Sequence, residues 1–291
     1  MSGRTQQDRG YCWYFPVVSK FKEQAMLLYL WVKSLERRIL AAATLVFALA
    51  ILPIQSQCQP SEDTTSSGKR SIEFGFESDL VSRYVWHGLE WSTGSVSQNT
   101  LWLSAHNLTG SLWANSDLVA RADGPLFNEL DLSLAHELSY RALTFESSAQ
   151  VYLYYPLQPD WPWTAELSIA ITAKLPVASP FIRQTFDVKE YPGSYFGEFG
   201  LSFEQQLGQQ FSLDVAAEIG WASAEFNDAY VGVPWTGVQL YQFEAGLTYF
   251  FTNSLYLRPH WCWSNVSPGV LQEAIEKSRL YQISIAFGGQ F

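Results

Sequence analysis

The chain has 291 residues, carries a formal net charge of −10 and is rich in aromatics, with 12 tryptophans against only 16% charged residues. Residues 1–56 hold seven Lys/Arg and three Asp/Glu, so the acidity lies beyond them, where 25 acidic residues face 11 basic ones. Nucleic-acid binding rests on neutralising phosphates, and a chain this acidic with no basic stripe is excluded from that class.

The first segment reads as an address. Arg37 and Arg38 precede an apolar run from Ile39 to Ile54, followed by a short polar stretch. That is the order of a secretory signal peptide, expected over residues 1–56, and the run is shorter than the roughly 20 residues a bilayer-spanning helix needs. A signal anchor is the alternative. Met26 is a possible true start, since the 25 residues before it are long for such a leader. Residues 57–70, "QCQPSEDTTSSGKR", read as a disordered periplasmic tail. The three cysteines, Cys12, Cys58 and Cys262, fit neither a zinc site nor a disulfide framework and are read as unpaired.

From residue 71 onward the apolar period is two. In 71–87, Ile72, Phe74, Phe76, Leu80, Tyr84 and Trp86 share one parity, while Glu73, Glu77, Asp79, Arg83 and His87 share the other. In "ELDLSLAHEL", Leu130, Leu132, Leu134 and Leu138 oppose Glu129, Asp131, Ser133 and Glu137. Such alternation marks strands with one apolar face. Twelve strands are expected, at 71–87, 97–107, 110–118, 126–139, 142–155, 162–175, 180–187, 194–205, 209–223, 236–251, 254–264 and 279–291. Pro259 falls within one of them and predicts a bulge or a weak ladder there.

The connections alternate long and short along the chain. Tight ones such as "NLTG", "YRA" and "TNS" follow longer ones such as "LEWSTGSV", "AEFNDAYVGVPW" and "NVSPGVLQEAIEK". This is the pattern of a transmembrane antiparallel up-and-down β-barrel. Its first strand must pair with its last, because lipid leaves no water for an open edge. Trp86, Trp91, Trp161, Trp163, Trp221, Trp235, Trp261 and Trp263 are expected at the long-loop rim, and Tyr249, Phe250, Phe251 and Phe291 near the short turns. Two aromatic belts are what membrane interfaces select.

The stretch 78–118 and the later "NELDLSL" resemble the TorF-like porin family of bacterial outer-membrane barrels. The matching residues are Ser82-Arg83-Tyr84-Val85-Trp86-His87-Gly88, then Gln98, Trp113-Ala114-Asn115 and Glu129-Leu130-Asp131. His87 stands where that family usually has arginine. The resemblance is good over about 50 residues and architectural beyond them, and it implies an outer-membrane porin-like barrel without naming a solute. Phe291 likewise resembles the terminal aromatic that the barrel assembly machinery recognises, and is expected to act as an assembly signal.

Parity also assigns the lumen. Its acids are Glu73, Glu77, Asp79, Glu129, Asp131, Glu137, Glu146, Glu166, Glu198, Glu204, Asp214, Glu218 and Glu244, against the bases Arg83, Lys174, Arg183 and Arg258. With His87 at the mouth, the pore-lining set is expected to include Glu77, Asp79, Arg83, Glu129, Asp131, Glu146, Glu166, Glu198, Asp214, Glu218, Glu244 and Arg258. Arg83 is expected to bridge Glu77, Asp79 or the Glu129/Asp131 pair. Carboxylates at this density call for a wet lumen or a paired plug. Rings of carboxylates favour cations. The expected function is passive diffusion of ions or small polar solutes with a cation preference, in contact with outer-membrane lipid. A structural or adhesive barrel with a plugged lumen is the alternative. An outer-membrane enzyme is the third, and no histidine lies in a nucleophile motif. The pattern calls for no cofactor and no metal.

Overall fold

The computed structural model describes residues 72–119, 127–155 and 163–291. The leader, the tail, Cys12, Cys58 and Trp161 lie outside the described residues. Twelve strands close into a barrel: β1 (Ile72–Val81), β4 (Val96–Ala105), β5 (Leu108–Asp117), β6 (Phe127–Tyr140), β7 (Leu143–Tyr154), β8 (Thr164–Ala173), β9 (Ser179–Asp187), β10 (Tyr195–Leu207), β11 (Phe211–Ala222), β12 (Gly237–Phe250), β13 (Leu255–Val266) and β14 (Arg279–Gln290). Each pairs antiparallel with its neighbour in the wall. The remaining strands, β2 (Tyr84–Trp86) and β3 (Leu89–Ser92), form a separate hairpin. Two helices occupy long connections: α1 (Ala224–Val231) and the single turn α2 (Gly269–Gln272). Among the described residues no helix is long and apolar enough to cross a membrane; the strands form the wall.

The period of two determines which side of the wall each residue faces. On β1, Ile72, Phe74 and Leu80 are more than half exposed, whereas Val81 is buried. On β14, Tyr281, Ile283, Ile285 and Phe287 are exposed, whereas Leu280, Ser284 and Ala286 are buried. The outside is therefore a continuous apolar surface and the inside is polar. A water-soluble barrel places these faces the other way round. An apolar exterior with polar residues inside is the surface of a barrel standing in lipid.

Closure between β1 and β14 runs from Gly75↔Gln290 to Val81↔Ser284. Phe291 extends it: its N–H donates to the Phe74 carbonyl at 2.9 Å, the Phe74 N–H donates back at 3.0 Å, and the two rings stack at 5.2 Å. Gly75 is required at this seam. A Cβ there would stand 2.1 Å from the inward Trp102 ring and 2.7 Å from the Gly289 carbonyl. At Pro259 the β12–β13 ladder breaks without a change of register: Gly246↔His260 is followed next by Tyr249↔Leu257. The missing N–H weakens the ladder and adds no bulge.

The first strand is shorter than its alternation suggests. β1 ends at Val81, and the expected continuation to residue 87 turns away from the wall. Ser82 makes the exit. Its N–H still donates to Ile283, but its hydroxyl receives the Ile283 N–H at 3.0 Å in place of a backbone carbonyl. The chain then folds inward as β2–β3, joined at His87-Gly88, where φ is 49° and 78°. Positive φ at both central residues is the requirement of a type I′ hairpin turn.

Candidate functional site

The hairpin and helix α1 meet inside the long-loop end of the barrel. Trp86 is the hub: its ring lies 4.2 Å from His87, 5.7 Å from Phe226, 5.0 Å from Tyr230 and 6.3 Å from Tyr152 on β7. Phe226 in turn packs on Phe196 of β10 at 5.1 Å, forming a buried cluster with Ala222 and Leu240. The hairpin tip reaches β12 and β13, since a Cβ on Gly88 would stand 2.7 Å from Leu240 and 2.9 Å from Val266. Helix α1 is held by its ends. Ser223 caps it by accepting from the Phe226 N–H at 3.2 Å, and Gly232 closes it in the left-handed conformation. Asn227 ties it to the wall by donating to Gln239 at 2.5 Å and to the Trp235 carbonyl at 2.7 Å.

These contacts correct four expectations. Trp86 is not at the outer rim but inside, at the centre of the plug. Trp91 belongs to the same hairpin, 6.3 Å from Tyr230. Arg83 does not bridge Glu77, Asp79 or the Glu129/Asp131 pair. It binds Glu90 at 2.6 Å, and Lys277 from the last long loop binds the other Glu90 oxygen at 2.9 Å. His87 is on the hairpin and not on a strand of the wall. Its ring stacks on Phe196 at 3.8 Å, with Nδ1 3.7 Å from Glu198. Burial, reinforced by Arg183, holds the His87 imidazole well below its ordinary range.

The remaining candidates lie on inward positions of the barrel strands. Glu77 accepts from the Tyr256 hydroxyl at 2.7 Å and sits 3.8 Å from Arg258. Asp79 is beside it on β1, and its Oδ1 has no donor among the described residues. Glu129 takes a hydrogen bond from Tyr84 of the hairpin. Asp131 accepts from Gln150 at 2.9 Å, and Glu166 from Tyr152 at 2.6 Å. Glu198 is 3.6 Å from Arg183, and Glu244 is 3.6 Å from His260. Glu146 faces Glu137 across β6–β7, and Asp214 faces Glu204 across β10–β11. Among the described residues the barrel strands point two arginines inward, Arg183 and Arg258, and both rest on carboxylates already.

Two cavities open below and beside the plug. One, of about 340 Å³, lies between the hairpin and the β4–β7 wall. The other, of about 390 Å³, lies on the β8–β12 wall and holds Arg183 with Glu198, Glu218 and Glu244. The lumenal wall also carries paired hydroxyls, including Ser111–Ser133 at 2.6 Å, Ser104–Thr109 at 2.8 Å and Thr185–Ser168 at 3.1 Å. Sequence reasoning missed Glu90, Trp102 and Trp113 as inward groups. Trp102 and Trp113 sit on the polar parity of their strands, so their positions were readable; Glu90 required the hairpin.

The residues that carry the family resemblance converge here. Tyr84 packs on Trp113 at 5.6 Å and bonds Glu129, while Gln98, Trp113 and Asp131 share the first cavity. No family model and no curated protein matches the chain. Among solved structures it is similar to the KdgM porin in complex with disordered oligogalacturonate, with a TM-score of 0.44 at 10% identity over 75% of this chain and 98% of that one. It is similar to the NanC porin with a TM-score of 0.48 at 9% identity over 74% and 98% of the two chains. The translocator domain of autotransporter NalP from Neisseria meningitidis gives 0.40 at 11% identity over 77% and 89%. Likenesses at this level name no substrate for this chain, and the barrel is read from its own closed strand order.

Proposed function

We propose that this chain is a porin-type channel of the bacterial outer membrane that passes ions and small polar solutes and prefers cations. The observation that carries the reading is the inward surplus of carboxylates around two cavities, with Arg183 and Arg258 already bound to Glu198 and Glu77. A lumen with fixed negative charge concentrates cations and repels anions. The hairpin and helix α1 narrow the mouth at the long-loop end. The apolar exterior suits outer-membrane lipid, and the sequence resemblance to the TorF-like porin family agrees with that location. In this reading Phe291, whose ring is outward and 49% exposed, is the assembly signal for the barrel assembly machinery. The reading assigns no catalytic residue.

Single-channel recording in a planar bilayer under a salt gradient tests this. Discrete steps with a cation-selective reversal potential are expected, and Glu198→Gln with Glu218→Gln should move that potential toward zero. Anion selectivity would overturn the preference. Silence from folded, inserted protein would overturn the channel and favour the plugged structural barrel, the reading to which the aromatic cluster in the lumen lends weight.

A further inference from the structure

The two cavities differ in what they leave unmet. In the β8–β12 cavity Arg183 supplies a positive charge among three carboxylates. Among the described residues the cavity beneath the hairpin has no lysine or arginine in its lining. Asp131 lies there, only 6% exposed. Gln150 satisfies Oδ2 at 2.9 Å, while Oδ1 is buried with no donor among the described residues. A buried acceptor without a donor is uncommon in native proteins and points to a group that supplies one. Glu129 and Glu166 flank Asp131, each bonded to a tyrosine hydroxyl and to no cation at those contacts. Among the described residues no cation stands beside Oδ1.

The rest of the lining fixes the shape of what fits. Tyr84 and Trp113 lie 5.6 Å apart on one side, and Trp86 and Tyr152 lie 6.3 Å apart on another. Aromatic faces accept the C–H faces of a sugar ring and attract ammonium groups. Gln150 adds an amide. A cavity of about 340 Å³ is at the small end of ligand sites, which is the scale of a monosaccharide.

We propose that this cavity is a binding subsite for small polyhydroxylated molecules carrying a primary ammonium group, with Asp131 Oδ1 receiving the ammonium and Trp113 and Trp86 stacking on the ring. The proposal names a solute class for the channel and rests on that reading for how the ligand reaches the lumen.

Isothermal titration of the full chain, folded in detergent micelles, with glucosamine, methyl glucoside and glucuronate tests it. Glucosamine should bind saturably at one site, about tenfold or more tighter than methyl glucoside, and glucuronate weakest. Asp131→Asn should lower glucosamine affinity by about tenfold or more and abolish the preference over methyl glucoside. Trp113→Leu should weaken glucosamine and methyl glucoside together. Equal binding of the three sugars, or none, by wild-type protein with barrel circular dichroism would overturn the proposal without any variant. Undiminished binding by both folded variants would overturn the placement. Bilayer recording separates the two readings. Cation-selective steps without saturable glucosamine binding would sink the subsite and leave the channel. Saturable, Asp131-dependent binding by a silent barrel would keep the subsite and sink the channel.

Discussion

The wall and the plug of this barrel are built by different physics. The wall is a set of ladders in which each residue's side is set by a period of two, and a one-residue slip would turn its apolar face inward. The plug has almost no ladder: β2–β3 is short, and what holds it is aromatic packing among residues far apart in the chain, from Trp86 to Phe226 and Tyr230. One region is fixed by local pattern and the other by tertiary fit. They should therefore fail separately, and function should depend on the second while stability depends on the first.

The largest effect expected is from deleting residues 83–93. Single-channel conductance should rise severalfold, while the barrel keeps its heat-modifiable migration on gels; an unchanged conductance would mean that the hairpin does not restrict the pathway. Trp86→Ala should cost plug docking about 3–5 kcal/mol, seen as open-state fluctuations with strand content by circular dichroism unchanged. Gly75→Ala attacks the wall instead. With a backbone carbonyl 2.7 Å from the new methyl, closure should lose about 1–3 kcal/mol and the guanidinium midpoint should fall.

Acidification sharpens the contrast further. His87 is held neutral when docked, so its ionisation favours the undocked hairpin. Docking is at full strength above the free imidazole pKa of about 6.5 and weakens as pH falls below it, by at most about 1.4 kcal/mol per unit. Glu198 and Arg183 face the same ring, and Arg183 works in the same direction. Conductance that rises on acidification in wild type and is flatter in His87→Gln is the expected record. The smallest effect is from Glu90→Gln, which loosens the clasp to Arg83 and Lys277 by about 1 kcal/mol and should raise fluctuations most at low salt.

The same division explains what the sequence made legible. All twelve wall strands were readable because lipid on one side and polar groups on the other impose the alternation residue by residue. The end of β1 was not readable from alternation, because the parity of Tyr84 and Trp86 continues that of Ile72 to Leu80 after the chain has left the wall. The available signal was the His87-Gly88 turn, flanked by Tyr84-Val85-Trp86 and Leu89-Glu90-Trp91, which is short hairpin chemistry lying inside an apparent strand. Inward carboxylates followed from parity, whereas their partners did not. The choice of Tyr256 for Glu77 is set by packing between residues remote in sequence, and that of Glu90 for Arg83 by the hairpin turn between them.

The hairpin's position in the chain also implies an order of events. It follows the first wall strand, yet its tip rests on β10, β12 and β13, near the other end of the sequence. Contacts spanning so much chain carry a loop-closure cost that is met only once the intervening strands are in place. Loop closure therefore orders hairpin docking after the pairing of the strands that receive it, so the wall can be complete while its interior is still unfilled.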